Sequence, residues 1–156
     1  MKKLTAKWLE NNNACSEAVE QWKKEGCESD LIKVLNRCIE LKKCDWGNWL
    51  IVRHMTYKLY VSYAVYAAEQ VIDIYEKKYP DDKRPRKAIE AAKACIKNPS
   101  AKNKEAAGWA AGAAAGAAAR AAEAAARAAG AAGWAAAAAM QEKILRYGIR
   151  LLEDSR

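Results

Sequence analysis

The sequence predicts an all-α fold, a compact multi-helix bundle around an alanine-rich C-terminal helical region. Three observations carry that expectation. Between Ala106 and Ala139, about 24 of 34 residues are alanine, the best helix former and one that loses no side-chain entropy. The exceptions there are phased. Gly108, Gly112, Gly116, Arg120, Glu123, Arg127, Gly130 and Trp134 follow at steps of three or four, on one helical arc about 120° wide. Upstream, β-branched runs are few and apolar stripes recur at helical spacing. A helix surfaced with methyl groups cannot fill space by itself, so its neighbours must come close and residues 1–100 must supply the core. The length, 156 residues, suits one domain spanning 1–156.

The elements follow in order. Thr5 N-caps a short helix, Ala6 to Glu10, which ends in the Asn11-Asn12-Asn13 run. Ala14 to Glu25 is closed by Gly26. Ser29 caps Asp30 to Leu41, with Leu31, Val34, Leu35 and Cys38 on one face. Asp45 heads a fourth helix that carries Trp46, Trp49, Leu50 and Val52 into the core. Thr56 caps a helix running to about Tyr79, where Pro80 stops it; its stripe is Tyr57, Val61, Ala64, Val65, Ala68, Ile72 and Tyr75. Tyr63 and Tyr66 lie off that stripe and either meet another helix or stay exposed. Pro80, Asp81 and Asp82 make a turn, and Pro85 opens the next helix, Pro85 to Lys97. A straight helix from Ala101 to Leu152 would be about 78 Å long, against a radius of gyration near 15 Å for a domain of this size. A break is therefore expected between Gly130 and Gly133. The last helix, Trp134 to Leu152, has Met140, Ile144, Leu145, Leu151 and Leu152 as its apolar stripe.

Net charge is +8 and the pI about 9.3, which favours anionic partners: nucleic acid, an anionic small nucleotide, an acidic protein or a membrane surface. Five cysteines, an odd number with no C-x-x-C, and a single histidine, His54, argue against a metal site or a disulfide framework. Buried free thiols in a reducing, cytoplasmic setting are expected instead. No apolar leader follows Met1-Lys2-Lys3, and Arg120, Glu123 and Arg127 interrupt the alanine tract, so no membrane span is expected. There is no phosphate loop, no G-x-G-x-x-G and no nucleophile–base pair to be built from one histidine. No catalytic residue, cofactor or metal is expected, and no enzymatic activity.

The candidate binding residues are Lys83, Arg84, Arg86 and Lys87, four cations around a helix start whose backbone N–H groups also favour an anion. The alternative is that they pair with Asp81, Asp82 and Glu90 and orient the turn. Arg120 and Arg127, with Glu123 between them, form either a solvated ladder or the polar lining of a cleft floored by alanines. The glycine steps are a close-packing device, the alternative being a glycine floor under a flat ligand with Trp109 or Trp134 as a wall, and a homo-oligomer through the alanine/glycine helix is open.

Three segments carry a family resemblance: AEQVIDIYEKKYPDDKRPRKAIEAAKACIK (Ala68 to Lys97), the alanine-rich helix with its closing MQEKILRYGIRLLE, and DWGNWLIVR (Asp45 to Arg53). Together they resemble the Imm-5-like immunity protein family of bacteria and bacteriophages. The resemblance implies toxin neutralisation by binding and not by catalysis. The expected function is a non-catalytic sequestering protein that neutralises a toxin or defence component. The alternative is a phage or mobile-element counter-defence sponge, holding an anionic nucleotide signal between arginine and aromatic side chains.

Overall fold

A computed structural model describes residues 3–105 and 135–155. Among them the regular structure is helical throughout, with no strand, as the composition predicts. Arg120, Arg127, Trp109, Trp134, the glycines of the tract and the expected break at Gly130–Gly133 lie outside the described residues. Within the span that the sequence reads as one domain, the chain divides into two compact units, Met1–His54 and Met55–Arg156.

The first unit holds α1 (Ala6–Asn11), α2 (Ser16–Lys24), α3 (Leu31–Glu40) and α4 (Cys44–Val52). Thr5 caps α1 as expected, its hydroxyl accepting from the Trp8 N–H at 3.2 Å. The first three helices end alike. After each the backbone turns left-handed, at Asn13 (φ 56°), at Gly26 and Cys27 (φ 86° and 59°) and at Lys42 (φ 59°). In each case two N–H groups fold back onto the last carbonyls, for example Lys42 to Ile39 at 3.0 Å and Lys43 to Cys38 at 2.9 Å. Glycine and asparagine announce such an end; a lysine does not.

That third turn explains one correction. Asp45 does not cap α4, because the fold-back at Lys43 starts the helix at Cys44; Asp45 sits in the first turn, where its charge still favours the helix dipole. Ser29 does not cap α3 either. Asp30 does, its carboxylate accepting from the Lys33 N–H at 3.1 Å, while the Ser29 carbonyl accepts from the Leu4 N–H at 3.2 Å. Helices α3 and α4 pack together, with Leu31, Ile32, Leu35, Cys38 and Ile39 of α3 and Leu50 and Ile51 of α4 buried, and Val34 is only half-buried.

The second unit opens with α5 (Tyr57–Glu69), α6 (Ile72–Lys78) and α7 (Arg84–Lys97). The expected single helix to Tyr79 is two helices. The Gln70 side chain donates to the Tyr66 carbonyl at 3.2 Å and the Val71 N–H reaches only three residues back, to Ala68, so the turn tightens and α6 restarts. Pro85 is the second residue of α7, not the first, and is buried. Val61 and Val65 of α5 pack with Ile72 of α6 and Ile89, Ala92 and Cys95 of α7. The closing helix, residues 135–153, buries Leu145, Gly148, Ile149 and Leu152 at helical steps. Of the expected stripe, Met140, Ile144 and Leu151 are only half-buried. Tyr66 stacks on Tyr147 with centroids 3.8 Å apart, so this off-stripe tyrosine does meet another helix; Tyr63 is buried.

All five thiols are free, but only Cys38, Cys44 and Cys95 are buried; Cys15 and Cys27, expected inside, are exposed at helix ends. Burial pushes the Cys38 thiol up to about 12. Alkylation at neutral pH should therefore label Cys15 and Cys27 promptly and Cys38, Cys44 and Cys95 only on unfolding. Peptide mass mapping reads this; prompt labelling at Cys38 would contradict the packing of α3 on α4.

Candidate functional site

The most charged feature of the second unit is the turn from α6 into α7. Lys83 occupies the N-cap position of α7 without a side-chain cap. Capping falls instead to Asp82, whose Oδ1 accepts from the Arg84 backbone N–H at 3.0 Å and from Arg84 Nε at 2.8 Å. Asp82 Oδ2 accepts from Arg84 Nη2 at 2.6 Å and from the Tyr75 hydroxyl at 2.7 Å. A carboxylate at a helix start is where the backbone dipole wants it, and the Arg84 and Tyr75 donors hold Asp82 well below the usual carboxylate range. The same Asp82 bond raises the Tyr75 hydroxyl.

Arg86 is fixed from the other side. Its fork donates from Nε and Nη2 to the two Glu76 oxygens, each at 2.6 Å, and Asp73 lies 3.5 Å away. Glu76 is lowered in turn by Arg86. The four sequence-predicted cations are thus brought together but are not equivalent. Arg84 and Arg86 are paired within the fold, Arg84 with the expected Asp82 and Arg86 with Glu76 and Asp73 rather than Glu90. Lys83 and Lys87 are exposed and make no ion pair among the described residues. Asp81, Asp82, Lys83, Arg84 and Lys87 line a shallow depression. Chemically the turn offers fixed charge, with Asp82 and Glu76 held ionised by Arg84 and Arg86. No group of three or more metal-ligating side chains occurs among the described residues, and no helix there is long and apolar enough to cross a membrane.

The depressed carboxylates set a pH dependence. A carboxylate whose value is lowered on folding stabilises the native state fully above the unfolded value, near 4, and loses that contribution as pH falls through its lowered value. The unfolding midpoint should therefore drop as pH falls from about 4 toward 2, and Asp82→Asn should flatten that drop. An unchanged slope in the variant would contradict the Asp82 contacts.

The residues that sequence reasoning missed lie in the first unit. Trp46 and Trp49, read as core, are half-buried and with Trp22 line a cavity of about 840 Å³. The signal was present in Arg53, four residues after Trp49, whose guanidinium lies 3.9 Å from the indole centroid.

Residues 52–150 match the family described as Imm-5 like putative immunity protein. The chain belongs to this family. The match begins within three residues of the boundary between the two units, so the second unit is the Imm-5-like module. It contains the whole Ala68–Lys97 segment, whereas all but the last two residues of Asp45–Arg53 fall before it. No curated protein and no solved structure matches the chain.

Proposed function

We propose that this protein is a non-catalytic member of the Imm-5-like family that neutralises a partner protein by binding it, through an acidic surface laid against the α6–α7 turn. The observation that carries the reading is the family match over 52–150, which takes in the charged turn. The turn suits contact rather than turnover: Asp82 and Glu76 are locked in ion pairs, and Lys83, Lys87 and the outer edge of Arg84 are left to face a partner. The 83 % exposure of the Arg84 side chain, despite its pairing, leaves guanidinium donors for a second carboxylate.

Titrating the purified chain into purified bacterial toxin domains, one at a time, tests this. One toxin should be inhibited at a 1:1 ratio, chemically unaltered, in a complex that weakens as salt rises from about 0.1 to 1 M and the screening length contracts from about 10 to 3 Å. Lys83→Glu with Lys87→Glu should lose the complex and keep the helical signal. Inhibition by far less than one equivalent would mean catalysis and sink the proposal.

A further inference from the structure

The cavity of about 840 Å³ lies wholly within the first unit, lined by residues between Leu4 and Leu50, before the family match begins. Its size falls in the range of small-molecule sites, about 300–1,000 Å³. Its walls are apolar and aromatic, chiefly Leu9, Trp22, Val34, Trp46 and Trp49. The rings are held in place. Trp22 Nε1 donates to the Glu28 carbonyl at 2.8 Å, and Trp49 meets Trp8 edge-on with centroids 6.2 Å apart.

Two of these rings already carry a cation. The Lys43 ammonium lies 4.7 Å from the Trp46 centroid and the Arg53 guanidinium 3.9 Å from that of Trp49. The electron-rich indole face attracts positive charge, most strongly where water is excluded. Most of the charged lining is paired within the fold: Glu25 and Glu40 with Arg37, at 2.9 and 2.8 Å, and Glu28 with Lys33 at 3.5 Å. Asp45 is exposed and makes no ion pair among the described residues, so it is the lining carboxylate left to meet a ligand.

We infer that this cavity binds a small amphiphilic cation, an aromatic or branched apolar body carrying one positive charge. The body fills the space between Leu9, Trp22 and Trp49. The charge lies toward Asp45, since Lys43 and Arg53 already cover a face of Trp46 and of Trp49. An anion with the same apolar body is repelled by Asp45.

Calorimetric titration of the full chain with naphthylmethyl-trimethylammonium, and separately with naphthylmethanesulfonate, tests this. The two share a ring system and differ in charge. The cation should bind at least about ten-fold tighter. Alkylation gives an independent reading, because Cys15 lines the cavity and Cys27 does not. The cation should slow labelling at Cys15 several-fold and leave Cys27 unchanged. Ala18→Trp, which fills the cavity from α2, should abolish binding with helical content retained, and Asp45→Asn should narrow the preference between cation and anion. If Ala18→Trp unfolds the protein, Cys15 protection in the parent chain decides. Equal affinity for the two probes, no binding at millimolar concentration, or unprotected Cys15 overturns the inference.

Discussion

Replacing Leu145 with alanine lowers the free energy of unfolding by about 2–5 kcal/mol, a large share of the roughly 5–15 kcal/mol that holds a domain together. Leu145 is 0 % exposed. The loss falls at the upper part of that range because the site collapses poorly. The next buried position on the same face is Gly148, which has no side chain to move into the void, and Tyr147 is held by its stack on Tyr66. Leu145→Met, nearly equal in volume, costs less than about 1.5 kcal/mol. Urea unfolding reads both, with the midpoint moving and the slope unchanged. A loss below about 1 kcal/mol for the alanine variant would show that the closing helix does not carry core.

Enlarging Ala92 to leucine costs about 1–3 kcal/mol. Helix α7 packs through small residues, Ala88, Ala92 and Cys95, beside Val61 and Val65 of α5. Extra methylenes at Ala92 must push the two helices apart or force strained rotamers. Ala94, exposed on the same helix, is the internal control: leucine there should change stability by no more than about 0.5 kcal/mol. Equal tolerance at both positions would mean that α5 and α7 are not in close contact.

How much of this was legible in the sequence depends on how far apart the interacting residues are. Thr5, Thr56 and Gly26 act on backbone within a few positions, and each does what its residue type announces. The Arg84–Asp82 pair is equally local. Arg86 pairs instead with Glu76 and Asp73 because the chain reverses between α6 and α7, and no helical periodicity reports on that. The break at Gln70–Val71 was hidden for another reason. Neither residue is a helix breaker, and the tightened turn shows only in the Val71 N–H, which reaches back three residues to Ala68. The left-handed Lys42 is the same kind of case, a conformation that glycine would have advertised. The cavity was missed because tryptophans at helical spacing look alike whether they fill a core or line a hollow.

The pairing in the α6–α7 turn also changes how far its charge is felt. A guanidinium bound to a carboxylate is, from a distance, a dipole, and a dipole's field dies away faster than that of a single charge. Arg84 with Asp82 is therefore nearly silent to a molecule one screening length away, about 8 Å at physiological salt, and the charge of Arg86 is more than offset by Glu76 and Asp73. Lys83 and Lys87 broadcast as monopoles. An approaching acidic surface is drawn in by the lysines and meets the arginines only on touching. Neutralising the lysines should slow the rate of encounter, whereas altering the arginines should shorten the lifetime of the complex once formed.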